Sequence, residues 1–454
     1  MNDRRTLTGQ GGPVDAVVDV PGSKSIANRA LVAAALADGD SELIGLPDGD
    51  DTVAMLAALG RLGITFERGD TGRDGVTMIG GCNGRIEPTT DPADIPVLID
   101  AGLAGTTSRF VTAVAAMATV PVTIDGAAPL RARPMADLHA ALVDLGATVS
   151  YGEAAGHLPV TVTGPLTGRD REHGPLRLRG DVSSQFITAL MLIGPLLADG
   201  LVIELTTPLV SMPYVKLTAA VMADFGIDGV TVADRAVTVP PGHYLARSYV
   251  IEPDASSASY PLAVAALRGG RVTVAGLTTG SRQGDIAIVE LLGAMGCRVD
   301  AGADSVTVQR DPDTALRGLG PVDLAEVSDL VPTVAVLAVA ADSPTTIAGV
   351  GFIRAKESDR LADLAAELAA TGAAIVTTED GLHIEPAPGR LHGAVLGTHH
   401  DHRLAMAFAV LGSTVEGIVV DGATVVTKSW PGFWSAYDEL VASSPATPAG
   451  SPSR

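Results

Sequence analysis

Lysine is nearly missing from this chain: of 31 basic residues in 454, only Lys24, Lys216, Lys356 and Lys428 are lysines, and the rest are arginines. Cysteine is scarcer still. Cys82 and Cys297 provide neither a disulfide framework nor metal-ligand spacing, so each reads as a free buried thiol. Aromatics make up 3% of the residues, so the cores must be built from Ala, Val, Leu and Ile. No apolar run reaches the roughly 18 residues of a membrane span, the best candidate being "LVPTVAVLAVAA". The opening "MNDRRTLTGQGGPVDAVVDV" lacks the apolar core of a signal peptide. These absences point to a reduced, soluble, cytoplasmic protein. Positive charge is also short, with a formal net charge of −21. The mean field therefore repels nucleic acid and anionic membranes. A small anionic substrate is not excluded, because it feels near charges while salt screens the distant ones.

What the chain has in abundance is repetition. An Ala-rich apolar helix followed by a short strand recurs six times, in "RALVAAALADGDSELIG", "RFVTAVAAMATVPVTIDG", "FITALMLIGPLLADGLVIEL", "YPLAVAALRGGRVTVAG", "VPTVAVLAVAADSPTTIAG" and "LAMAFAVLGSTVEGIVVDG". Between the copies lie an amphipathic helix, a glycine and two short strands. Gly63, Gly146, Gly226, Gly296 and Gly372 fit the position just past a helix, where φ is positive. Each unit thus reads β-α-β-α-β-β over about 75 residues, longer than the common solenoid periods. Helices without a polar face belong in the interior, and amphipathic ones cover a surface. Six units divide into two α/β domains of three: residues 22–243, and 1–21 together with 244–440. The border falls in the Pro/Gly-containing stretch near 243, and "VDAVVDV" crosses over into the second domain. The low-complexity tail, 441–454, is expected to be disordered.

Polar residues gather at two recurrent places. The first is the start of each apolar helix: "GSKSIANR", "GLAGTTSR", "GDVSSQF", "PDASSASY", "VSDLVP" and "HHDHRLAM". Capping accounts for Ser, Thr and Asp there, and "PDASSASY" needs nothing more. It does not account for cations, which oppose the helix dipole unless an anion sits on the free N–H groups. The second place is the loop after each short strand, with Arg133, Lys356, Arg360 and Lys428. A chain that elsewhere prefers arginine keeps three of its four lysines in these places, where a compact ammonium or a proton transfer is needed. Lys216 starts an outer helix and reads as solvated surface. Several phosphate or carboxylate subsites are implied. "GSKS" lacks the glycine spacing of a Walker A loop, and "GDTGRDG" lacks that of a dinucleotide site. "HHDH" (399–402) lacks a third ligand at helical spacing, and "DVSSQF" lacks a neighbouring His motif, so neither a metal nor a serine triad is assigned.

In order along nearly the whole chain, "PGSKSIANRAL", "AGTTSRF", "RARPMADL", "GDVSSQFITALM", "DASSASYPLA", "RAKESDRL", "DHRLAMAF" and "TKSWPGF" resemble the 5-enolpyruvylshikimate-3-phosphate synthases, enolpyruvyl transferases of the shikimate pathway and targets of glyphosate. The resemblance implies a two-domain inside-out α/β barrel of six repeats, with ligands in the cleft between domains. It also implies the substrates shikimate-3-phosphate and phosphoenolpyruvate, a monomer, and no cofactor or metal. Matched motif by motif, Ser25, Arg29, Ser183, Ser184, Ser211 and Lys356 fall on the shikimate-3-phosphate side, with Tyr214 against its ring and Gln185 between the ligands. Lys24, Gly105, Arg133, Arg360, Arg403 and Lys428 fall on the phosphoenolpyruvate side. Asp329 and Glu357 form the acid–base pair, with Lys24 and Lys428 stabilising or relaying charge. Three positions depart from the pattern: Leu103 and Phe352 stand where Asn is frequent, and Phe110 where Pro is frequent. The related transferase acting on UDP-N-acetylglucosamine carries a loop cysteine ahead of its "RP" motif, and "GAAPLRARP" has none. A non-catalytic anion-binding repeat protein would need the cations without the two carboxylates.

Overall fold

The computed structural model describes residues 3–9, 11–88, 96–168 and 174–443. The chain forms two compact units. The first comprises Pro21–Glu252 and Arg282–Gly284; the second comprises Met1–Val20, Pro253–Ser281 and Asp285–Arg454. The sequence put the border near 243. In the structure Ser248–Val250 pairs in parallel with Asp40–Ile44, which keeps that stretch in the first unit. The tail expected from 441 lies outside the described residues from 444 onward, and its first two residues close the helix Phe433–Ala442.

The sheets share one plan. In the first unit the strand orders are Ser248–Val250, Asp40–Ile44, Val76–Gly80, Phe66–Arg68; then Val97–Asp100, Val122–Asp125, Val160–Thr163, Thr148–Tyr151; then Leu176–Leu178, Leu201–Leu205, Ala236–Val239, Thr231–Ala233. Each begins with a parallel pair and continues antiparallel. The second unit repeats this with Val14–Val18, Gly270–Ala275, Ser305–Arg310, Arg298–Ala301 and with Gly320–Asp323, Thr345–Ala348, Leu382–Glu385, Ala374–Thr377. Its third sheet has three strands, Val395–Gly397, Val419–Asp421 and Arg4–Thr6. Among the described residues these are six separate open sheets, none closed into a barrel.

The six apolar segments become the helices Lys24–Leu36, Gly105–Ala115, Ser184–Ile193, Ala255–Arg268, Val331–Val339 and His402–Gly412. Most of their residues are buried, three helices forming the centre of each unit's core. Their lack of a polar face dictates this, since any exposed side would leave apolar surface in water. The amphipathic helices bury one stripe: Arg360–Ala369 covers Arg360, Leu361, Leu364, Ala365 and Leu368. The five glycines expected past the outer helices have φ between +87° and +104°. Lys216 is exposed, Cys297 is buried, and Cys82 is only half-buried. No helix among the described residues is long and apolar enough to cross a membrane.

The N-terminal strand Val14–Val18 belongs to the second unit, where it pairs in parallel with Gly270–Ala275. The close approach of these strands requires a glycine: Gly270 has φ +94°, and a Cβ there would lie 2.0 Å from the carbonyl oxygen of Val14. Gly270→Ala is therefore expected to lower stability by about 3 kcal/mol, through backbone strain and a forced strand separation. Urea unfolding checks this; an unchanged midpoint would contradict it.

Candidate active site

Cations gathered at the first turns of buried helices and in the loops beside them mark a candidate site in each unit. In the second unit the centre is Arg360, the first residue of Arg360–Ala369 and only 1% exposed. Its guanidinium donates to three carboxylates: Nε to Asp401 at 2.7 Å, Nη1 to Asp329 at 3.1 Å and Nη2 to Glu357 at 2.8 Å. Asp329 also accepts from Arg403 Nη2 at 2.7 Å, and Glu357 from Lys428 Nζ at 3.1 Å. Lys356 lies within electrostatic range of Asp329, its ammonium 5.9 Å from the ring centre of Phe352. Thus the structure brings together Asp329, Lys356, Glu357, Arg360, Arg403 and Lys428, all singled out from the sequence.

The protonation states follow from this packing. Burial pushes the Asp329 carboxyl up, but Arg403, Lys356 and Arg360 outweigh it and hold the group well below the usual carboxylate range. Burial likewise opposes the charge on Arg360, and Asp401, Glu357 and Asp329 reverse that effect and raise its pKa. Asp285, 3% exposed, goes the other way. Burial, reinforced by repulsion from Asp329, pushes it up to about 7 against the pull of Arg403 and a hydrogen bond from Ser256. One ionised and one protonated carboxyl thus stand in the same neighbourhood, a condition suited to acid–base work. Arg360, Arg403, Lys356 and Lys428 supply four cations against the ionised carboxylates. Such a site suits an anion.

In the first unit Lys24 opens the helix Lys24–Leu36, which Ser23 caps by accepting from the Ile26 amide, and pairs with Asp51 at 3.1 Å. One turn on, the buried Arg29 donates Nε to Thr218 Oγ1 at 2.8 Å, Nη1 to the Ser25 carbonyl at 2.7 Å and Nη2 to the Tyr214 carbonyl at 3.1 Å. These acceptors are neutral, and burial pulls the Arg29 pKa down to about 10. A buried cation among neutral oxygens favours a negative ligand. Ser183 caps the helix Ser184–Ile193, whose Gln185 Nε2 donates to Thr106 Oγ1 at 3.3 Å. Gly105 begins its helix where a Cβ would lie 2.6 Å from Arg133 Nη1, so a larger residue would push that guanidinium from its present place. Ser211, buried with φ +55°, immediately precedes the helix carrying Tyr214. Two departures from the family pattern gain a physical reading. Phe110 lies 5.6 Å beneath the Arg29 guanidinium, and Phe352 sits under Lys356, so both place a ring face against a cation.

Sequence reasoning missed Asp401, Asp51, Asp285, Thr218 and Thr188, the last accepting from Arg29 Nη2 at 3.4 Å. Asp401 had a usable signal, since it caps a helix within the quoted "HHDHRLAM". Asp51 reads as an ordinary acid in a first helical turn. Asp285 and the threonines carry no local pattern; tertiary packing alone brings them to the site. Among the described residues no group of three His, Cys, Asp or Glu side chains is arranged to hold a metal ion.

Comparison with known proteins bears on this geometry. The family model described as EPSP synthase (3-phosphoshikimate 1-carboxyvinyltransferase) matches residues 8–437. A 3-phosphoshikimate 1-carboxyvinyltransferase of Methanosphaerula palustris is 41% identical over 94% of this chain and 97% of its own. One from a Nostoc species is 39% identical over 94% and 97%. A solved EPSP synthase from Acinetobacter baumannii superposes with a TM-score of 0.77, covering 96% of this chain and 98% of that one, at 23% identity. At that identity the likeness is one of fold.

Asp285 yields a pH prediction. Its folded pKa of about 7 lies above the roughly 3.9 of an unfolded aspartate, so the folded state holds its proton more tightly. The resulting stability is present below about pH 4 and lost as pH rises to about 7. Asp285→Asn removes that loss and keeps a Ser256 acceptor. The variant should therefore gain stability relative to the parent between pH 4.5 and 8, by on the order of a few kcal/mol. Urea midpoints at both pH values check this; an equal difference at the two would contradict it.

Proposed function

The chain belongs to the EPSP synthase family, and we propose that it transfers the carboxyvinyl group of phosphoenolpyruvate to the 5-hydroxyl of 3-phosphoshikimate with release of phosphate. The observation carrying this reading is the buried Arg360, which holds Asp329, Glu357 and Asp401 beside Arg403 and Lys428. Addition requires a proton at C3 of phosphoenolpyruvate and loss of the hydroxyl proton as oxygen attacks C2. Elimination returns the C3 proton and expels phosphate. We assign the hydroxyl proton to Asp329, which is ionised in the resting site; the arginines that hold it so also keep it a weak base. Glu357, between Arg360 and Lys428, serves C3, with the Lys428 ammonium 3.1 Å away relaying the proton that Glu357 delivers on addition and receiving it back on elimination. Lys24, Arg133, Arg403 and Lys428 neutralise phosphate and carboxylate charge as it moves, guanidinium forks bonding both groups in pairs. Gly105 leaves room for Arg133, and Arg360 fixes the carboxylates.

On the acceptor side, Arg29, Ser25, Ser183, Ser184, Ser211 and Lys356 bind the phosphate and hydroxyls, Tyr214 meets the ring, and Gln185 lies between reactants. The proposal retains the six-repeat inside-out barrel and the three-repeat domains. It takes the enzyme as a cytoplasmic monomer that needs no cofactor, metal, nucleic acid or membrane.

Two measurements test it. Given phosphoenolpyruvate with either 3-phosphoshikimate or UDP-N-acetylglucosamine, the enzyme should release phosphate only with the former. Glu357→Gln should cut kcat by about a thousandfold or more while leaving 3-phosphoshikimate affinity within about threefold. Turnover retained in that variant would remove Glu357 from its role, and a protein that binds both reactants without releasing phosphate would be an anion-binding module.

A further inference from the structure

The "HHDH" motif is used by the reading above only through Asp401. The loop that carries it joins the strand Val395–Gly397 to the helix His402–Gly412. Two consecutive non-glycine residues in it are left-handed, His399 with φ +50° and His400 with φ +61°. Such a pair is rare outside glycine and persists when neighbouring contacts hold it. Those contacts come from the helix that begins with Arg360. Glu367 accepts from the Gly397 amide at 2.9 Å and lies 2.7 Å from His399 Nε2, while Asp363 lies 3.6 Å from His399 Nδ1. Arg360, Asp363 and Glu367 stand at i, i+3 and i+7, one face of that helix. The same face therefore grips the loop twice. Its N-terminal end does so through Arg360 Nε on Asp401, and its middle does so through His399.

Asp401 has two duties that depend on where this loop sits. Its Oδ1 caps the next helix by accepting from the Arg403 amide at 2.9 Å, and its Oδ2 takes Arg360 at 2.7 Å. A shift of the loop would move both arginines that hold Asp329.

We propose that His399 is a positioning residue, clamping the 397–401 loop onto Asp363 and Glu367 so that Asp401 keeps Arg360 and Arg403 aligned on the acid–base pair. This rests on the transferase reading for its catalytic consequence, but the clamp itself can be read without turnover. His399→Ala should lower kcat about fivefold and leave 3-phosphoshikimate affinity within about threefold, because of the groups assigned to it only Lys356 lies in this unit, while Ser25, Arg29, Ser183, Ser184 and Ser211 lie in the other. His399→Gln places a donor where Nε2 stands and should restore at least half of the lost rate. Hydrogen exchange over residues 397–403 should quicken in the alanine variant and return toward the parent in the glutamine one. If the alanine variant does not fold, Glu367→Gln, which weakens the clamp from the opposite side, is read in the same way. A parent protein that releases no phosphate would overturn the transferase reading, with exchange still deciding the clamp. Unchanged exchange in the alanine variant, a kcat within twofold of the parent, or a glutamine variant as slow as the alanine one would overturn the clamp.

Discussion

One buried guanidinium with three carboxylates around it is the interaction on which the second unit's site depends. Arg360 at 1% exposure would be strongly destabilising alone, because a charge removed from water needs partners with good geometry. It has them at 2.7, 3.1 and 2.8 Å. Those partners come from separate parts of the chain: Asp329 just ahead of an inner helix, Glu357 from the loop before Arg360, and Asp401 from a helix cap. Lysine could not replace it, since an ammonium lacks the planar fork that meets three acceptors at once. The arrangement leaves Asp329 ionised, and sets four cations, Arg360, Arg403, Lys356 and Lys428, against the three carboxylates, a local positive balance in an acidic protein.

The first unit solves the related problem with neutral partners. Arg29 is enclosed by hydroxyl and carbonyl oxygens, so its charge is solvated but not cancelled. Each unit thus presents cations where an inner helix begins. The Ala-rich helices make this possible: they fill the core on every side, so polar and charged side chains are left to gather at their first turns.

The repeat made much of this legible in the sequence. Helices without a polar face could only be interior, and glycines after amphipathic helices could only be turn positions with positive φ. Rare lysines marked Lys356 and Lys428, because a chain so biased toward arginine spares lysine for a reason. Other features depend on pairing, which local sequence does not encode. Ser248–Val250 lies past the expected border near 243 because it joins Asp40–Ile44. Asp285 looks like any helix-start acid until packing buries it beside Asp329. Phe110 and Phe352 registered only as departures from a pattern, and become ring platforms for cations once folded.

Arg360 and its neighbours keep Asp329 ionised well below the ordinary aspartate range. Carbon-13 NMR of carboxyl-labelled aspartates, with Asp329 assigned by loss of its signal in Asp329→Asn, reads this directly. The Asp329 resonance is expected to keep its ionised position below the ordinary aspartate range, its midpoint well under that of a free aspartate. A titration midpoint at or above about pH 4 would contradict it.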